Sequence, residues 1–318
     1  MSDLPSRIEI HEEGPREGFQ FETTIYPLAE RVAFVDALSE TGLKQIQVAS
    51  FVSATRVPQM ADSEELFSSI RKVPGVRHTA LWLNEQGFLR ARATPNVDLT
   101  GTLLFYASDA FAQHNNGCDA QTMRQRQDGW IELYDKAGIA IEAAYIMTAF
   151  GCNLQGDVPI EAVIDNVRWI VSRFSSVGRR PPAIYLADTV GWAVPIEIER
   201  RIGAVRELAP EARIGLHMHD TRSAGPAKLY SALRMRVDLF DSSVAGLGGC
   251  PFAGHSHGAA AGNICTEDIV FMAHEMGIAT GVDLEALIEA ALIAEQMIGR
   301  PLGGRIMHSG SLRKFRKP

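Results

Sequence analysis

Two histidines one residue apart, His217 and His219 in GLHMHDTRSAG (215–225), have the spacing that could hold a divalent cation. Alternation along an extended segment puts residues i and i+2 on the same side. Both imidazoles then face one way and Met218 faces the other. Two neutral imidazoles can also simply hydrogen-bond, so the pair alone leaves a metal site and a structural pair equally open. Three more segments carry groups able to do chemistry. EGPREGFQFE (13–22) holds Arg16 and Glu17 beside glycines, and ADTVGWAVP (187–195) holds Asp188. GLGGCPFAGHSHGAAAGN (246–263) holds Cys250 in a glycine-rich loop and Asn263 at its end. Each has a bland reading: a surface ion pair for Arg16 and Glu17, a helix N-cap for Asp188, a small buried residue for Cys250. Asn263 could cap the helix that TEDIVFMAHEMG begins.

The elements that must position these residues decide between the readings. Short apolar, β-rich runs recur along the chain: RIEIHE (7–12), KQIQVAS (44–50), RHTALWL (77–83), LTGTLLFYAS (99–108), IAIEAAYIM (139–147), PAIYLAD (182–188), ARIGLHMHD (212–220) and DLFDSSV (238–244). Nearly unbroken apolar runs suit parallel strands buried on both faces. Between them lie amphipathic helical patterns such as 28–42 and 160–178, which end at Gly42 and Gly178 as helix C-termini tend to. Eight β-then-α units predict an α/β chain folded as a (β/α)8 TIM barrel. The barrel is expected over about 7–270, with a C-terminal helical extension over about 271–318 that includes 283–299. With no linker, low-complexity tract or repeat, residues 1–318 are expected to form a single catalytic domain. Active sites of such barrels lie at the C-terminal strand ends. Arg16 and Glu17 follow strand one, Asp188 closes strand six, His217 and His219 close strand seven, and Cys250 and Asn263 follow strand eight. Their joint placement favours one shared site over four unrelated structural roles.

Composition narrows the function classes. A chain of 318 residues that is 46% hydrophobic can bury a large core. The formal charge of −7 and the lack of a basic stripe argue against nucleic acid as a partner. The basic end, LRKFRKP, reads as a solvated tail. Four cysteines show no C-x-x-C spacing and no disulfide framework. No apolar run has membrane-spanning length, and the opening MSDLPSRIEIHEEG is polar and acidic. The expectation is a soluble cytoplasmic protein with no membrane partner.

The chain resembles the 3-hydroxy-3-methylglutaryl-CoA lyases, within the barrel metal-dependent carbon–carbon lyases and synthases. EGPREGFQFE, SFVSATRVPQMAD (50–62), MTAFGCNLQGDV (147–158), LADTVGWAVP, GLHMHDTRSAG and GLGGCPFA…AGNICTEDIV carry the resemblance, in that family's order. The G-L-G-G-C-P-[FY]-A signature is that of the lyases rather than the synthases. The resemblance implies retro-aldol cleavage of a tertiary 3-hydroxy-3-carboxymethyl acyl-CoA to a shorter acyl-CoA and a β-keto acid. It implies a divalent cation, Mg²⁺ or Mn²⁺, on Glu17, His217, His219 and Asn263, a mixed oxygen and nitrogen set suited to such ions. It also implies His217 as base with Asp188 beside it, Arg16 stabilising the enolate oxygen and Cys250 protonating the enolate carbon. A homodimer acting on a small-molecule acyl-CoA is expected on the same ground.

Four departures from the family pattern point to a changed substrate. Glu17 stands where the acidic ligand is usually aspartate. IQVASF puts Gln47 where the family has an acid, and Thr23 replaces a lysine. The loop between Cys250 and Asn263 is longer and adds His255 and His257. Gln47, and Arg222 just after the histidine pair, are the expected substrate contacts. Two other readings stay open. One is the same barrel run as a Claisen-type condensing synthase or on a non-CoA substrate; the other is a barrel that binds without catalysis.

Overall fold

The computed structural model of the chain describes residues 4–249 and 262–316. All eight expected strands form, each trimmed by one or two residues at an end. They are β1 (Glu9–Glu12), β2 (Gln45–Ser50), β3 (Arg77–Leu81), β4 (Gly101–Tyr106), β5 (Ile141–Met147), β6 (Ala183–Asp188), β7 (Ile214–Met218) and β8 (Leu239–Ser242). The longer helices between and after them are α1 (Leu28–Ser39), α2 (Ser63–Ser69), α3 (Glu85–Ala93), α4 (Asp109–Asn116) and α5 (Ala120–Ala137). α6 (Ile160–Ser175), α7 (Pro195–Leu208), α8 (Gly225–Arg234), α9 (Thr266–Glu275) and α10 (Leu284–Ile298) follow. The strand–helix alternation read from the sequence is therefore present. Helix starts are set by local side chains. Asn84, Ser108, Asp119 and Asp283 each accept a backbone N–H in the first turn of α3, α4, α5 and α10, which satisfies donors the helix cannot pair itself.

By its internal packing the chain divides into two compact units. The first is built mainly from Thr100–Phe240. Its strands run β4–β5–β6–β7, with parallel pairing across β4–β5, β5–β6 and β6–β7, and the first half of β8 follows β7. Tyr145, Tyr185 and Gly215 share one row of this sheet. The two tyrosine rings stack with centroids 4.4 Å apart. A Cβ at Gly215 would come 2.5 Å from the Tyr185 ring, so the third position in that row must be glycine. β6 and β7 are buried along almost their whole length, as strands covered on both faces should be.

The second unit comprises Ser6–Leu99, Asp241–Gly249 and the described residues from 262 onward. Its strands run β3–β2–β1, with the second half of β8 beside β1, where Glu13 N donates to Ser242 O at 2.8 Å. β1–β2 and β2–β3 are parallel, with a register shift between Gln47 and Ala49. The C-terminal helices are part of this unit's core rather than an appendage, since α10 buries Leu287, Ala290, Ala291 and Ala294. The segment after α10 is tied down at two points. Gly303 N donates to Ala245 O at 3.0 Å, and Asp268 Oδ1 accepts from Ile306 N at 2.9 Å.

Candidate active site

In the first unit, β6 ends on Asp188 and β7 ends just before His219. Alternation does what the spacing implied: Met218 is fully buried, while the His217 and His219 rings lie together with their Nε2 atoms 3.0 Å apart. The spacing fits a shared cation as well as a hydrogen bond. Asp188 is 1% exposed and fully engaged. Its Oδ1 accepts from Trp192 N at 2.6 Å and Ala193 N at 2.9 Å. It thus caps the turn that leaves β6; the N-cap of α7 is Val194. Its Oδ2 accepts from Lys228 Nζ at 2.6 Å.

Lys228 is the first residue that sequence reasoning missed. It is 1% exposed, and Nζ also donates to the carbonyl of His219. One ammonium thus fixes the β6 carboxylate and the end of the histidine pair together. The signal was there: in GPAKLYSALR, Lys228 lies on the same helical face as Ala232, an apolar face. Arg222 spends Nη1 on the carbonyls of Val190 (2.8 Å) and Gly191 (2.9 Å). It ties the loop after β7 to the loop after β6. Trp192 packs against Gly151, where a Cβ would collide with the indole, and Nε1 donates to Asn153 Oδ1 at 2.6 Å.

In the second unit, the residues after β1 form a single wide turn of π-helix, Gly14–Gly18. It carries Arg16 and Glu17, whose side chains are only 14% and 12% exposed, so the pair is not a solvated surface bridge. Arg16 Nη2 donates to Glu13 Oε2 at 2.5 Å and lies 3.2 Å from Glu17 Oε2. Arg16 Nε donates to Gln47 Oε1. The guanidinium is thereby held from the residue that follows β1, from its own turn and from β2. Gly248, at φ +83°, lies against Glu17, where a Cβ would come 2.7 Å from Cγ. Asn263 is 2% exposed; its Nδ2 donates to Leu247 O at 3.3 Å. The cap of α9 is Cys265, so Asn263 does not serve there. Its Oδ1 is buried without a hydrogen-bond partner among the described residues. A buried acceptor left unpaired is costly, and a hard cation would satisfy it. The donor types and this orphaned oxygen fit the divalent ion that the sequence implied.

Two acids beneath this region were also not singled out. Glu12, fully buried, accepts from Gly14 N (2.8 Å), Val244 N (2.9 Å) and Thr266 Oγ1 (2.5 Å). Burial pushes its carboxyl up to about 7. Glu267, also fully buried, accepts from Ala245 N at 3.0 Å, and burial pushes it up to about 8. Its Oε1 has no hydrogen-bond partner among the described residues, and the backbone at Gly304 lies directly on it. Neighbouring amides at the root of the glycine-rich loop are thus each held by a different buried carboxyl. Ile10 and Glu12 are alternate positions of β1, and Ile8 just before the strand continues the row, all three buried. An acid at the end of an apolar row was the available signal. Cys250, His255 and His257 lie outside the described residues.

The HMGL-like family model matches residues 7–293. Mitochondrial hydroxymethylglutaryl-CoA lyase of Rattus norvegicus is 36% identical over 306 residues, covering 96% of this chain and 90% of that protein. The 3-hydroxy-3-isohexenylglutaryl-CoA/hydroxymethylglutaryl-CoA lyase of Pseudomonas aeruginosa is 35% identical over 303 residues, covering 95% and 97%. A solved HMG-CoA lyase of Acinetobacter baumannii, in complex with coenzyme A and 3-methylmalate, superposes with a TM-score of 0.85 at 29% identity, covering all of both chains. Near-complete coverage at this identity, over segments that include every described site residue, leaves one conclusion: the chain belongs to the HMGL-like family.

Proposed function

We propose that this chain is a divalent-metal-dependent carbon–carbon lyase. It cleaves a 3-hydroxy-3-carboxymethyl acyl-CoA by retro-aldol chemistry to a shorter acyl-CoA and a β-keto acid. The reading is carried by similarity to hydroxymethylglutaryl-CoA lyases over 96% of the chain, and the positions of Arg16 and Glu17 after β1, Asp188 at the end of β6 and the histidine pair at the end of β7 support it. The relative solved with coenzyme A supports the substrate class. Eight strand–helix units support a sheet that closes, β3 to β4, into a (β/α)8 barrel. A cytoplasmic homodimer completes the proposal.

Glu17, His217 and His219 supply one carboxylate oxygen and two imidazole nitrogens as candidate ligands, and Asn263 adds its unpaired Oδ1. Bound there, Mg²⁺ or Mn²⁺ would lower the pKa of the substrate hydroxyl and hold it with a carboxylate. His217 takes the hydroxyl proton. Asp188, already bonded to two amides and Lys228, serves as a fixed anion that helps orient the reacting groups. As the carbon–carbon bond breaks, charge grows on the thioester oxygen. The Arg16 guanidinium, held by Glu13 and Gln47, meets it without having to reorganise. Cys250 then protonates the enolate carbon, which suits a thiol whose ordinary pKa of roughly 8.5 lets it give and regain a proton.

Substrate choice within the class follows from the departures. An amide at Gln47 in place of an acid, and the longer Glu17, favour a relative of 3-hydroxy-3-methylglutaryl-CoA with a larger or more polar substituent at the branched carbon. The Pseudomonas relative, named for an isohexenyl as well as a methyl substrate, is a precedent for such breadth. The deciding experiment incubates the protein with Mg²⁺ or Mn²⁺ and a panel of 3-hydroxy-3-carboxymethyl acyl-CoAs, with mass spectrometry of the products. A metal-dependent pair of acyl-CoA and β-keto acid is expected. Failure to cleave any member would overturn the assignment.

A further inference from the structure

We propose that Glu13 is a positioning residue for Arg16, doing from the first strand the charge work that the family pattern places on an acid of the second strand. This rests on the reading of Arg16 as the group that meets the developing oxyanion. The observations concern one guanidinium. Glu13 is 3% exposed, and its Oε2 accepts from Arg16 Nη2 at 2.5 Å. Gln47, where the family acid is expected, still accepts from Arg16 Nε, but as a neutral amide. The shape of the contact is kept and its charge has moved to Glu13.

Glu13 is fixed well enough for that work. Its N–H donates to Ser242 O at 2.8 Å, and its carbonyl accepts from Glu17 N at 2.8 Å. The backbone is thus tied to β8 on one side and to the Arg16 turn on the other, and the carboxylate has little freedom to leave. A charged partner bonds a guanidinium more strongly than an amide does, so Glu13 rather than Gln47 sets where Arg16 points. Charge counting explains why the two positions go together. Glu13 and Glu17 already put two carboxylates on the single positive charge of Arg16. With Glu17 given to the cation, a carboxylate at 47 would still leave two anions, Glu13 and residue 47, competing for the one positive charge of Arg16 and strain its pairing. Gln47 is therefore the partner that Glu13 requires, and restoring the family acid at 47 alone does harm.

The test uses Glu13→Gln, Gln47→Glu, their double variant, Arg16→Gln and Glu13→Gln/Arg16→Gln in the full chain. Activity is read with Mg²⁺ and 3-hydroxy-3-methylglutaryl-CoA, or the better substrate from the panel, and unfolding is read by thermal melting. Each of Glu13→Gln and Gln47→Glu should lower kcat at least tenfold, with KM within about threefold of the parent. The double variant, with the acid returned to strand two, should recover to within about threefold. A purely structural role for Glu13 would give no such rescue. In melting, the Glu13→Gln and Arg16→Gln shifts should be clearly less than additive in the double variant, because each removes the same bond. Additive melting shifts, or a Glu13→Gln/Gln47→Glu protein no faster than the worse single variant, overturn the proposal. Full activity of Arg16→Gln with coupled melting would instead overturn the catalytic reading of Arg16 and leave the pairing standing.

Discussion

Lys228→Met removes the ammonium and keeps most of the side-chain volume. Lys228 and Asp188 are each 1% exposed on their side chains and 2.6 Å apart. Taking away one partner of a buried pair leaves the other charge uncompensated, at a cost of about 3–5 kcal/mol. The low end is expected here, because Asp188 Oδ1 keeps its two backbone donors. His219 O loses a donor in the same step. For a chain of this size 1 kcal/mol is about 2 °C in melting temperature, so the full range corresponds to roughly 6–10 °C and Lys228→Met should lower Tm by about 6 °C. Asp188→Asn added to it removes the orphaned charge while keeping an acceptor for Trp192 and Ala193, and should recover at least half of the loss. Thermal melting in chelator, without added metal, keeps ligand linkage out of the comparison. A Lys228→Met protein within 2 °C of the parent, or a double variant less stable than Lys228→Met, would refute the argument from a buried, mutually dependent pair.

His217→Ala and His219→Ala should each weaken Mn²⁺ binding by at least tenfold in calorimetry; unchanged binding in both would remove the pair from the metal site. Cys250→Ser should cut turnover severely while Mn²⁺ affinity stays within threefold, because a hydroxyl is a far weaker acid than a thiol and the thiol is not a proposed ligand. Near-normal turnover would return Cys250 to packing. Glu12 and Glu267 make stability depend on pH in a stated direction. Their folded pKa values, about 7 and about 8, lie above that of an unfolded glutamate, so the unfolded chain binds fewer protons between about pH 4.5 and 8 and stability falls as pH rises through that window. Glu267→Gln, which keeps an acceptor for Ala245 N, should flatten the fall, and a parent whose Tm is level from pH 5 to 8 would contradict the burial argument.

What the sequence made legible was whatever depends on period and punctuation. Short β-rich runs, several of them nearly unbroken and apolar, marked all eight strands, and Gly42 and Gly178, both at positive φ, marked the ends of two helices. H-x-H at the end of a run was enough to place two imidazoles on one side of β7. The partners of the site residues were harder to see, because a hydrogen bond between distant strands leaves no periodic trace. Lys228 lies 40 residues from Asp188, and Gln47 lies 31 from Arg16. Single-residue readings also erred where a side chain has two uses. Asp188 caps a turn and pairs with a lysine, where its sequence position suggested a helix N-cap or a site residue. Gln47 reads as a lost acid because Glu13, three residues before Arg16, sits in an opening segment that is polar and acidic throughout and gives it no distinguishing mark.

The segment after α10 bears on how this protein can be handled. Gly303 is bonded to Ala245, Ile306 is capped by Asp268, and the Gly304 backbone covers the fully buried Glu267. A protein shortened to end near Gly299 would open that carboxyl to water, where it ionises at neutral pH, and would release the strap on the root of the glycine-rich loop. Affinity tags and protease sites therefore belong after Phe315, which is 71% exposed. Trimming of the chain that reaches Gly304 should be read as damage to the footing of the glycine-rich loop rather than as removal of a tail.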